Sequence, residues 1–280
     1  MTRTALVLGG GGVTGIAWEL GILKGLADAG VVLTDAEVVV GTSAGSVVGA
    51  QVTSGRSLEE LYAGQLEAPD HEIGAKLGRT TLLRLVPPML VPGSSRTKLS
   101  RIGRMAMKAH PPGGAERIEV IRSRIGVAEW PDRELRITAV EAESGRFTVF
   151  DRDSGVDLVS AVAASCAVPL VWPAVTIHGL HYIDGGMRST ANVDLARGAD
   201  SVVVLAPLPQ SFSKASSIKA QLERIAPARS VVVAPDAEAL AAIGRNVLDP
   251  AKRADAARTG LRQAAAVTEQ VRAAWSIHER

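Results

Sequence analysis

The sequence contains a single cysteine, Cys166, so no disulfide can form within the chain and a reducing compartment suits it. Aromatic residues make up only 3% against 46% hydrophobic, so any core must be built from Ala, Val, Leu and Ile. Small and branched side chains of this kind suit buried parallel strands with closely packed helices. An excess of either charge is also missing: the net is +2, too little for a global field that would recruit nucleic acid, and none is expected as a partner. No apolar run approaches the ~20 residues of a membrane span. The N-terminal run Ala5–Leu8 breaks into four glycines, too short for a signal-peptide core. A cytoplasmic chain is the expectation. Its 280 residues are enough for one sizeable core.

Glycine is not scarce, and it falls where the chain turns. Thr4–Leu8 reads as a buried strand, followed by Gly9-Gly10-Gly11-Gly12-Val13-Thr14-Gly15 and a helix with Ile16, Leu20, Leu23 and Leu26 on one face. Glu37–Val40 reads as a second strand. Leu135–Val140 and Arg146–Phe150 form a hairpin pattern around Glu143-Ser144-Gly145, and Val175–Ile177 with His181–Ile183 form another around Gly179. Ser201–Leu205 and Val231–Val233 are further strands. Helices are expected at Ser57 onward, Glu116–Arg124, Val159–Ala164, Ser213–Ile225, Ala237–Ile243 and along the C-terminus. The alternation gives an α/β fold with a largely parallel central sheet. No internal repeat is seen. Between about 70 and 114 the texture changes: prolines interrupt it, apolar residues cluster from Leu82 to Val91, and basic residues from Lys76 to Lys108 meet no acidic one. That stretch reads as a cap-like insertion in a single domain spanning 1–280.

Gly41-Thr42-Ser43-Ala44-Gly45 stands between a β-branched run and a helical one. A strand that turns at once into a helix leaves no room for side chains two positions either side of the central residue. Glycine fits there, and Ser43 is pushed out at a helix N-terminus, where backbone N–H groups favour developing negative charge. A plain strand–helix turn with Ser43 as cap is the alternative. Gly10, Gly12 and Gly15 spell G-x-G-x-x-G after a strand, the pattern of a dinucleotide site. Such a site wants an acidic residue at the end of the second strand. Here Asp35 and Glu37 lie at its start, and the serine turn occupies its end. The same glycine-rich helix start can instead form an oxyanion hole. If the first two strands are parallel, that loop and Ser43 share one sheet edge. Of the five histidines, His278 lies in a polar tail and His178 and His181 flank a turn; His71 and His110 have no better claim. Asp184 ends a strand and is followed by Gly185 and Gly186, which let a ligand approach closely. It can serve as base to Ser43 if both are desolvated, or be no more than a turn residue.

Taken in order, the glycine loop, G-x-S-x-G, Ser165-Cys166-Ala167-Val168-Pro169 and Asp184-Gly185-Gly186 resemble the patatin-like phospholipases. The resemblance implies a three-layer α/β fold, a Ser43–Asp184 dyad, and an oxyanion hole at Gly10, Gly11 and Gly12. Gly15, Gly41, Gly45, Gly185 and Gly186 would be the motif glycines. It implies hydrolysis of acyl esters of lipids with no metal and no cofactor. Peripheral contact with an anionic membrane follows as an option from the basic, apolar insertion. The family commonly carries Arg or Lys in the glycine loop where this chain has Thr14. A non-catalytic lipid- or protein-binding relative of the same fold is the rival reading.

Overall fold

The computed structural model describes residues 3–68, 74–75, 79–109, 111 and 113–275. Its strands are β1 (Thr4–Leu8), β2 (Val38–Gly41), β3 (Glu134–Glu141), β4 (Phe147–Phe150), β5 (Val175–Ile177), β6 (Leu180–Asp184), β7 (Ser201–Leu205) and β8 (Arg229–Val233). They form one sheet in the order β5-β6-β3-β2-β1-β7-β8, with β4 also paired to β3. The run β3-β2-β1-β7-β8 is parallel, whereas β4, β5 and β6 join antiparallel. Both expected hairpins are present.

Alternation along the parallel strands divides the core between two faces. Leu6, Leu8 and Val39 face the larger side, while Ala5, Val7, Val38 and Val40 face the other. The larger side is covered by α1 (Gly12–Asp28), α2 (Ala44–Thr53), α7 (Leu158–Ser165) and the long α10 (Arg253–Trp275), with α3 (Leu58–Leu66), α6 (Gly114–Ile125) and α9 (Ala237–Ile243) around them. Helix α1 packs directly on α10. A Cβ at Gly21 would meet the Ala257 carbonyl oxygen at 2.2 Å, so only a bare backbone allows the contact. Trp18 is fully buried there and donates its indole N–H to Gln263 Oε1 at 3.0 Å.

The opposite face carries α8 (Ile218–Ile225) and the turn Val193–Ala196. The helix expected over Ser213–Ile225 is split. A short turn at Lys214–Ser216 precedes Ser217, whose extended backbone and side-chain bond to the Ala220 N–H start α8 afresh.

The stretch read as an insertion holds two helices, α4 (Arg79–Leu90) and α5 (Ser95–Ala109). Helix α5 lies on the antiparallel end of the sheet, with Leu99, Ile102 and Ala106 packed on Val140, Ala142 and Ile183. It therefore completes the second helical layer. Helix α4 buries Leu85 and leaves Leu83 and Leu90 exposed at 66% and 75%.

Candidate active site

Sheet register explains how Ser43 and Asp184 meet. Ile137 of β3 pairs with Gly41 of β2 on one side and Phe150 of β4 on the other. Two positions on, Ala139 pairs with Thr148 of β4 and Asp184 of β6. A strand residue has one neighbour on each side, so β2 and β6 lie along the same side of β3, end to end. Strand β2 runs up to Gly41 and β6 runs down to Asp184, about 7 Å apart along β3 at ~3.3 Å per residue. The residues leaving the two strand ends, Ser43 and Asp184, fill that gap.

Ser43 has φ 53° and ψ −114°, a strained conformation for a non-glycine residue, at the start of α2. Its own N–H donates to Ser165 Oγ at 2.9 Å, and its carbonyl accepts from Cys166 Sγ at 3.3 Å and Ser46 Oγ at 2.6 Å. Three neighbours thus hold the strained backbone, and none of these bonds uses the Ser43 hydroxyl. Gly45 lets the turn pass under β1: a Cβ there would meet the Leu8 carbonyl oxygen at 2.1 Å. The remaining motif glycines sit at close approaches too, Gly41 against Ser46, Gly15 against Pro207 and Gly185 against Thr138.

Asp184 is 3% exposed. Its Oδ1 accepts the Gly186 N–H at 2.7 Å, and Ser43 lines the same pocket beside it. Burial raises its pKa to about 6, against the opposing pulls of the Ser43 and Gly186 hydrogen bonds and the Arg117 charge. A carboxyl with such a pKa can exchange a proton near neutral pH.

The glycine loop arrives at the same edge, since β1 and β2 are parallel with Leu8 opposite Gly41. Its members differ. Gly10 donates its N–H to the Thr190 carbonyl at 2.7 Å, which ties it to the segment after Asp184. Gly11 is the N-cap of α1, and Gly12 has φ +61° with the Val247 carbonyl oxygen where a Cβ would be. Gly10, Gly11, Gly12, Ser43 and Asp184 all line one cavity of about 140 Å³, whose other walls include Leu85, Leu208, Phe212 and Leu248. A serine and a buried carboxyl thus stand at the wall of one apolar pocket.

Thr14 is fully buried, and its hydroxyl donates to the Val247 carbonyl at 3.2 Å. Position 14 is thus a packed anchor for the 247 loop. Arg117, stacked 4.3 Å over the ring of Trp172, and Arg124 bring positive charge to a small recess that also reaches Ser43. Of the four tryptophans, Trp18 belongs to the core and Trp172 lies in the surroundings of the site. Among the histidines, His181 pairs with Glu143 at 2.5 Å on the hairpin surface, and His178 sits at the turn with φ 49°. His71, His110 and His278 lie outside the described residues.

Sequence reading missed the polar network behind the site. Asn192 is fully buried and donates to Thr42 Oγ1 at 3.0 Å and to the Ser189 carbonyl at 2.9 Å; Thr138 Oγ1 donates to Thr42 Oγ1 at 3.0 Å. It ties β2, β3 and the segment after Asp184 together. Of these residues only Thr42 lay in a motif already singled out. Asn192 gave the weak signal of a residue type that tolerates φ > 0, here 49°. Among the described residues no group of His, Cys, Asp and Glu could hold a metal ion.

Chains similar in fold include VipD from Legionella pneumophila, 12% identical with a TM-score of 0.48, covering 96% of this chain and 67% of that one. The type III effector ExoU is 17% identical with a TM-score of 0.44, covering 97% and 53%. ExoU in its heterodimeric complex with SpcU from Pseudomonas aeruginosa gives 17%, 0.44, 96% and 52%. The chain thus spans about half the length of ExoU and two thirds of VipD. A search of curated proteins gave no match. The family model described as patatin-like phospholipase matches residues 6–197, a span that runs from β1 past Asp184. The chain belongs to the patatin-like phospholipase family.

Proposed function

We propose that the chain hydrolyses acyl esters of lipids through Ser43 and Asp184. The observation that carries this reading is a strained serine at a helix N-terminus and a buried carboxylate that line the same apolar pocket. Asp184 accepts the Ser43 proton as Oγ attacks the ester carbonyl carbon, and the carbonyl oxygen gathers negative charge. Gly11 and Gly12 supply the backbone N–H groups of the oxyanion hole, while Gly10, whose N–H is engaged with Thr190, anchors the loop. The proton passes from Asp184 to the leaving alcohol as the C–O bond breaks, leaving an acyl ester on Ser43. Water, deprotonated by Asp184, then attacks that ester and releases the fatty acid with Ser43 restored. The test is hydrolysis of a simple aryl ester. Ser43→Ala and Asp184→Asn should each lower kcat by about 10³-fold or more, with His178→Ala and His181→Ala near wild type. Activity retained in Asp184→Asn would sink the dyad.

We also infer that α4 docks on an anionic bilayer. Leu83, Val86, Leu90 and Val91 are exposed on it or just beyond it, next to the exposed Arg84, while Leu85 of the same helix lines the Ser43 pocket. One helix thus covers the site with one face and offers apolar and basic groups to solvent with the other. Among the described residues no helix is long and apolar enough to cross a membrane.

A further inference from the structure

A second cleft adjoins the Ser43 pocket. It has a volume of about 350 Å³, and Met187 and Phe212 line both. The two cavities also share α4: Leu85 faces the first and Met89, one helical turn on, faces the second. One turn is about 5.4 Å, the scale of the few bonds between an ester oxygen and the phosphorus of a glycerophospholipid.

The chemistry of the two differs. The Ser43 pocket has an almost wholly apolar lining around the reacting groups. The second is lined by Lys98 of α5, Arg188, and Arg224 of α8, with hydroxyls from Ser95, Ser213 and Ser216 and no Asp or Glu. The charge of Arg188 is used nearby, by Asp194 Oδ2 at 2.5 Å and Asn192 Oδ1 at 2.8 Å. Arg224 donates to the Ala215 carbonyl, which orients its guanidinium; Asp194, the salt-bridge partner of Arg188, feels its charge but lies outside the cleft lining. Among the described residues neither Lys98 nor Arg224 is in a salt bridge. Two cations and several hydroxyls therefore converge with no counter-charge in the lining. Phe212 is the only aromatic there, and it is half exposed, so no aromatic cage awaits a quaternary ammonium.

We propose that this cleft binds the phosphate of the lipid substrate through Lys98 and Arg224, and that it selects head groups of net negative charge over zwitterionic or uncharged ones. Phosphate oxygens accept from the Lys98 ammonium, the Arg224 guanidinium and the serine hydroxyls, while the acyl chain occupies the pocket beside Ser43. A choline group would bring a further cation into a site that already holds Lys98 and Arg224. An acylglycerol would leave both cations unmatched. This rests on the hydrolase reading above.

The experiment measures kcat/KM on dihexanoyl lipids below their micelle concentration, so that bilayer docking plays no part. The substrates carry phosphoglycerol, phosphocholine or no phosphate. Wild type should favour phosphoglycerol over both others by about tenfold or more. Lys98→Ala with Arg224→Ala should erase that preference and leave hydrolysis of the uncharged lipid within about twofold. Lys98→Arg should retain it, and Lys98→Glu should shift preference toward phosphocholine. Equal rates on all three lipids, or a preference that survives both alanine changes, would overturn the assignment. Glycerol 3-phosphate should compete with the phosphoglycerol lipid and leave the uncharged one unaffected. A Lys98-dependent change in uncharged-lipid hydrolysis by inorganic phosphate would instead make the cleft an effector site and also overturn it. Hydrolysis of none of the three by wild type would refute the hydrolase reading itself, an outcome distinct from loss of selectivity.

Discussion

A protonated carboxyl cannot take a proton from Ser43, so activity should rise with pH through the Asp184 pKa of about 6. That value overlaps the range of imidazole, ~6.5, so a pH profile alone does not separate this dyad from a histidine-dependent enzyme. Stability moves the opposite way. Because the folded pKa lies above the ordinary value of 3.8, the folded state holds this proton more tightly. Stability is then greatest below about 3.8 and declines as pH rises to about 6, by about 3 kcal/mol. Burial also pushes the Glu19 carboxyl well above its ordinary range, against a smaller opposing pull from the Gly9 backbone, and adds a decline of its own. Urea unfolding of wild type and Asp184→Asn across this window isolates the Asp184 part. The Asn variant should lose the steeper share of the slope and be the more stable protein at pH 7. Equal slopes would mean that Asp184 is not desolvated. At this scale Ser43 and Asp184 were legible because steric need wrote glycines around them. Thr14 was not: its burial depends on the carbonyl of Val247, more than two hundred residues away.

Helices α4 and α5 were legible as a change of texture and not as helices. Pro87 and Pro88 lie inside α4, where a sequence reading places a break. Helix α5 shows its apolar face only when Gly103 is seen against Ala142, where a Cβ would meet the carbonyl oxygen at 2.1 Å. The basic residues of the stretch do not all act alike. Arg101 holds the carbonyls of Val91 and Pro92, and Arg96 that of Ser144, so these also fix the turn and the hairpin. Docking is therefore best tested on Leu83, Leu90, Arg84 and Arg104. Co-sedimentation of Ser43→Ala protein with anionic vesicles should be strong at low salt and weak at high salt, with little binding to neutral ones. Each basic group near the surface contributes about 1 kcal/mol. Changing Arg84 and Arg104 to Gln, or Leu83 and Leu90 to Ser, should weaken binding several-fold. Equal binding to neutral and anionic vesicles would leave α4 a cap alone.

Across the whole molecule, the α/β class and the parallel run of β1 and β2 could be read from buried β-branched segments, because strands covered on both faces leave that mark. The end-to-end meeting of β2 and β6 along β3 could not, since register between strands more than a hundred residues apart leaves no local trace. Yet that register is what joins a serine from one half of the chain to an aspartate from the other, and the central claim rests on the pair. The most direct test is reaction with a fluorophosphonate followed by peptide mass mapping. Wild type should carry one phosphonyl adduct on Ser43, and the adduct should be absent in Ser43→Ala and formed at least 10²-fold more slowly in Asp184→Asn. A folded wild-type protein that takes no label, or takes it at unchanged rate without Asp184, would contradict the account.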